Sequence, residues 1–212
     1  MGVMSIILVS ALACHPVTNK KLMGLWESGS VSSSGVGSNI EFRKDGSFTT
    51  AVTVIVDLKY QVKDGKLYIS KDSNEPVSFD IGLDISFEKG ALVITGKDGK
   101  KETKYRVSPK TDDPIVGIYK YRHNAGGTAY ERYTSDGMLN FRLPMSKISG
   151  CFKPGKKNIS LEMKGGNIKT FTYSLSEEEL IIGNQGDKSV YNRVVGGTWY
   201  DSENIDYKKP LN

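Results

Sequence analysis

The chain has 212 residues, of which 38% are apolar and 25% charged, with a net charge of +5. That balance fits a soluble folded protein rather than a disordered one. The longest apolar run, Ser5–Ala13, is far short of the ~20 residues a helix needs to cross a bilayer. Twenty-three glycines and eleven tyrosines point to many turns joining many strands.

Residues 1–13 carry no charge, and Ile6–Ala13 reads as the apolar region of a signal peptide ending in small residues. Ser10-Ala11-Leu12-Ala13-Cys14 resembles the lipobox of bacterial lipoproteins. The resemblance implies cleavage before Cys14, acylation of its thiol, and a polar tether over residues 14–21. His15 rather than Asp after the cysteine implies the outer membrane. Two other readings stay open: a buried first strand with a structural cysteine, or, in an exported protein, pairing of Cys14 with Cys151.

Beyond the tether the chain reads as two copies of one β unit, 22–107 and 115–200, with a tail over 201–212. Gly24-Leu25-Trp26 lines up with Gly117-Ile118-Tyr119, Asp45-Gly46 with Asp136-Gly137, Tyr60 with Phe152, and Arg106-Val107 with Arg193-Val194. In the first copy, the Ser/Gly stretch Gly29–Ser38 follows the first strand and is long for a hairpin loop. Asp-Gly pairs at 45–46, 64–65 and 98–99 mark hairpins. Strict alternation of Phe79, Ile81, Leu83, Ile85 and Phe87 with polar residues or glycine predicts a strand with one face in a core.

Ser108–Pro114, polar and bracketed by prolines, reads as a linker. The second copy continues with a loop at 124–128 and turns at Asp136-Gly137, Pro154-Gly155 and Gly165-Gly166. Gly197-Thr198-Trp199 is either its closing strand or the stump of a third copy. No stretch shows capped helical periodicity. The expected fold is all-β: two tandem antiparallel meanders or small barrels related by internal duplication.

A Gly-x-Trp on a first strand with an arginine on a last strand resembles the lipocalin and calycin pattern, and more closely the short lipocalin-like domains of bacterial lipoproteins. The resemblance implies that Trp26 packs against Arg106 in one unit and Tyr119 against Arg193 in the next. It offers these four residues as core or ligand contacts.

Charge divides unevenly between the copies. Residues 22–107 are neutral overall, whereas 114–194 hold the whole excess. Arg142, Lys147, Lys153, Lys156, Lys157, Lys164 and Lys169 stand against a single acid, Glu162. This run would suit an acidic envelope partner or glycan; the plainer reading is a solvated edge. Nucleic acid is not expected.

Only His15 and His123 are present, and no zinc spacing, nucleophile elbow or phosphate loop occurs. Cys151 has no histidine-bearing motif and reads as a small buried residue. No catalytic residue, metal or cofactor is therefore expected. The sequence points to a lipid-anchored envelope protein that binds without catalysis, with a small hydrophobic or amphipathic molecule as ligand. The alternative is a structural or protein-interaction lipoprotein using the basic face.

Overall fold

The computed structural model describes residues 14–71, 74–184 and 186–194. The expected signal peptide, the C-terminal tail and Gly197–Trp199 lie outside them. Seven strands come from the first half: β1 (Gly24–Ser28), β2 (Val36–Phe42), β3 (Ser47–Lys63), β4 (Lys66–Ile69), β5 (Leu83–Glu88), β6 (Ala91–Thr95) and β7 (Lys101–Arg106). Seven follow from the second: β8 (Gly117–Arg122), β9 (Thr128–Tyr133), β10 (Met138–Pro154), β11 (Asn158–Met163), β12 (Ile168–Leu175), β13 (Glu179–Gly183) and β14 (Lys188–Arg193). All pairings are antiparallel, and β1 closes the ring on β14. The all-β expectation holds.

The two halves do not close on themselves as tandem units. β3 and β10, each of 17 residues, pair with one another from Ser47↔Cys151 to Lys59↔Met138. This ribbon pinches the ring into two circuits of eight strands. Barrel I holds β1, β2, the start of β3, the end of β10 and β11–β14. Barrel II holds the end of β3, β4–β9 and the start of β10. Each barrel therefore takes strands from both halves of the chain.

The long strands account for this. In Ala51–Val56 the polar alternation lapses into an almost unbroken β-branched run, the pattern of a strand flanked by neighbours on both sides. β10 absorbs Pro144 at a register shift between Pro144 and Ser146, where a residue without an N–H can sit inside a ladder. Barrel I packs Trp26, Phe42, Phe48, Phe152 and Ile159, and barrel II packs Tyr60, Leu67, Leu92, Tyr119 and Tyr133.

The barrels meet along a seam where Leu25 of β1 packs with Tyr130 of β9. Within this seam Arg142, only 5% exposed, spans Glu27 with two bonds of 2.8 and 2.9 Å and reaches Asp57 at 2.7 Å. Burial works against its charge, and the carboxylates more than offset that, holding the guanidinium above its usual range. Arg142 therefore leaves the basic patch the sequence assigned it to, because it is consumed as a tie between the barrels.

Two local expectations change. The alternating run from Phe79 becomes a strand only at Leu83. The β4–β5 ladder stops at Leu67↔Leu83, so the residues before Leu83 pair with no strand. Phe79 instead packs edge-on against Tyr68 at 4.9 Å, and Ile81 is 58% exposed. Of the Asp-Gly turns, only Asp64-Gly65 has positive φ at both residues; in the others the glycine alone does.

Replacing Arg142 with Met strands a buried carboxylate at Glu27 and should cost about 3–5 kcal/mol in denaturant unfolding. The double variant with Glu27→Gln should recover part of that loss, and a double-mutant cycle measures the coupling.

Candidate functional site

The arginine latches are the first site the sequence singled out, and they are crossed relative to expectation. Arg193, not Arg106, lies over Trp26, its guanidinium carbon 4.0 Å from the ring centroid. Arg106, not Arg193, lies over Tyr119 at 4.9 Å. The cause is topological: β1 pairs with β14 through Trp26↔Arg193, and β7 pairs with β8 through Arg106↔Tyr119. Trp26 and Tyr119 are wholly buried.

Each arginine also fastens the segment leading into its barrel. Arg193 donates to the carbonyls of Met23 (2.8 Å), Glu177 (2.6 Å) and Lys21, and the Trp26 indole donates to Leu22 (2.9 Å). Arg106 donates to Val116 (2.9 Å), Pro109 (3.1 Å), Pro114 and the Tyr119 hydroxyl (2.7 Å). The expected tether and linker thus become floors, with Leu22 and Ile115 plugged into the two cores. The glycine of each Gly-x-aromatic motif follows from this. A Cβ at Gly117 would sit 2.1 Å from Arg106, and one at Gly24 would meet Arg193 at 3.3 Å. These four residues close barrel ends.

The interior of barrel II carries a cluster that sequence reasoning missed. Lys104, 4% exposed, donates to both oxygens of Glu131 at 2.7 Å. The hydroxyls of Tyr121 (2.9 Å) and Tyr133 (2.6 Å) donate to the same carboxylate. Burial, and then the Glu131 charge, push both phenols well above their usual range. A legible signal existed: Glu131 alternates with Ala129 and Tyr133 on the core-facing side of β9. The carboxylate has a donor on each side, so the cluster is a saturated polar core.

The open ends of the two barrels converge on the middle of the ribbon. Ser28, Ser38 and Val36 lie on the inner face of barrel I, as Trp26 and Ile40 do. That face continues across Ser38↔Val52 and Thr50↔Ile148. It runs on through Val54↔Leu143 into the packed mouth of barrel II, where Val54, Leu143 and Tyr121 cluster. Val52 and Ile148 are 43% and 51% exposed, and Met145 at the register shift is 53% exposed. A groove of about 760 Å³ opens here between Ser28, Val36, Ser38, Val52 and Lys188. The Ser/Gly loop forms part of its rim through Gly29 and Ser30.

The remaining lysines of the expected patch fall at opposite ends of barrel I. Lys153, Lys156 and Lys157 are exposed at or beside the β10–β11 turn, towards the floor. Lys164 and Lys169 are exposed at the mouth, and Lys147 is half-buried beside the ribbon. His123 stacks near Phe141 at 5.7 Å, and no group of three metal-ligating side chains occurs among the described residues.

Cys14 and Cys151 form a disulfide with their Cα atoms 5.2 Å apart. Cys151 is thus not a free thiol, and a sulfur in this bond cannot carry the thioether that the lipobox resemblance implied for Cys14. Val17 donates its amide to Lys44 at 3.0 Å, so the segment after Cys14 is docked along the barrel rather than loose.

Thiol titration of the unreduced, denatured protein should find no free sulfhydryl, and reduction should lower the unfolding free energy by about 2–4 kcal/mol. Tyr60 supplies a pH marker, since burial and then the Asp113 charge raise its phenol to about 12. The unfolded chain ionises this group near pH ~10. Its stabilising contribution is therefore whole below that pH and declines as pH rises towards about 12. Absorbance at ~295 nm should show Tyr60 ionising later than the exposed tyrosines, and Tyr121 and Tyr133 only on alkaline unfolding. No family model, no curated protein and no solved structure matches this chain.

Proposed function

We propose that this chain is a non-catalytic binding protein of the bacterial cell envelope that takes a small hydrophobic or amphipathic molecule at the mouth of barrel I. The observation that carries this reading is the pair Val52 and Ile148. Both are large apolar side chains on the inner face of the ribbon, left half-exposed while Phe48 and Phe152 further along that face are buried. Apolar surface left open in a concave site, with hydroxyls around it, is what a ligand of this class would cover.

The envelope address draws support from the lipobox resemblance at Ser10–Cys14 and from the disulfide, which persists in oxidising compartments. Acylation and the disulfide compete for one sulfur. A lipid-anchored molecule would hold Cys151 as a thiol beside its anchor, and a disulfide-bonded one would be released from the membrane. We further read β1–β7 and β8–β14 as products of an internal duplication of a lipocalin-like unit. The matched pairs Trp26↔Arg193 and Tyr119↔Arg106 support this. The second reading, a partner-binding protein, is favoured by Lys153, Lys156 and Lys157, which are exposed and make no ion pair among the described residues.

Titration of the full-length protein with N-phenyl-1-naphthylamine should give saturable fluorescence enhancement. Val52→Asp and Ile148→Asp should each weaken it about tenfold, as expected for losing one buried apolar side chain. Absence of saturable binding in a protein whose far-ultraviolet spectrum shows an intact β fold would sink the proposal.

A further inference from the structure

The cations around this mouth identify the ligand's head. Three lysines come to the rim of barrel I from separate places in the chain. Lys188 opens β14 and lines the groove together with Val52. Lys169 is the second residue of β12, on the inward side that Phe171 and Tyr173 share and opposite buried Leu161, yet is itself exposed. Lys164 lies in the β11–β12 turn, where its amide donates to Ser149 at 3.0 Å, directly after Ile148. None of the three makes an ion pair among the described residues. Of the nearby acids, Asp187 shares the turn before Lys188, and Glu162 lies opposite Cys151 on the outer side of β11.

In the same region of barrel II two of the lysines are held by acids. Lys104 is held by Glu131 and Glu102, and Lys100 is paired with Asp98 at 2.8 Å. The mouth of barrel I thus brings open apolar surface together with lysines that make no ion pair among the described residues.

We propose that the mouth takes a single-chain anionic amphiphile, a deduction that rests on the binding role above. Its acidic head meets Lys164, Lys169 and Lys188, and its tail lies along Val52 and Ile148 towards Met145. Below the mouth the inner face turns polar at Ser28, Ser38 and Tyr191, with Ser38 3.3 Å from the Tyr191 hydroxyl. The tail accordingly runs along the ribbon between the two barrels and not down the axis of barrel I.

Submicellar decanoate, decanol and decyltrimethylammonium, compared by isothermal titration on the full-length protein, separate head from tail. Decanoate should bind about tenfold more tightly than decanol, with the cation weakest, and ~0.5 M salt should narrow the gap. Changing Lys164, Lys169 and Lys188 together to Gln should bring decanoate to the level of decanol. The same change at Lys153, Lys156 and Lys157 should have no effect. Equal binding of decanoate and decanol, or a preference that survives the rim triple variant, overturns this inference and leaves the apolar site standing. Failure of all three probes overturns both.

Discussion

Everything in this fold depends on the pairing of β3 with β10. Without it the remaining ladders describe one wide ring of fourteen strands, far too large for these side chains to fill. With it the ring divides into two circuits of eight, a size whose interior side chains can fill. Two strands of 17 residues, each serving one barrel with its first half and the other with its second, do the work of a domain interface. The seam is then fixed by a buried but well-partnered arginine between Glu27 and Asp57.

Shared strands also explain why the arginine latches cross. A circuit that begins with β1 must be closed by the strand that ends the described chain, and a circuit that contains β7 must be closed by the next strand along. Arg193 therefore belongs to Trp26 and Arg106 to Tyr119, and each guanidinium draws in the backbone that precedes its partner strand. Segments that look like a tether and a linker are recruited as floors because they are the nearest chain able to supply carbonyls. The disulfide fixes the first of these floors a second time.

The two barrels share a plan and differ in their contents. Barrel II spends its upper interior on Lys104, Glu131, Tyr121 and Tyr133, whose mutual hydrogen bonds leave nothing to offer a ligand. Barrel I has Ser28, Ile40 and Tyr191 in the comparable region, and its mouth stays open beneath exposed Val52 and Ile148. The difference between the barrels thus lies in how the upper interior is filled.

Period-2 alternation, glycine-bearing turns and the absence of helical periodicity determined the strand content by themselves, because those signals are local to a strand and its hairpin. They also located the Gly-x-aromatic motifs and the arginines, since each needs only its own backbone to be recognised. The partners were not legible. Which aromatic an arginine covers depends on which strands close a circuit, and hydrophobic alternation is the same for either choice. Arg142 was equally opaque, for a cation on a strand reads as solvated until the opposing sheet brings Glu27 within reach. Val52 stands in a run that resembles core and Ile148 is a lone apolar residue in a polar stretch, and only the meeting of the barrels at the ribbon brings the two together and leaves them uncovered.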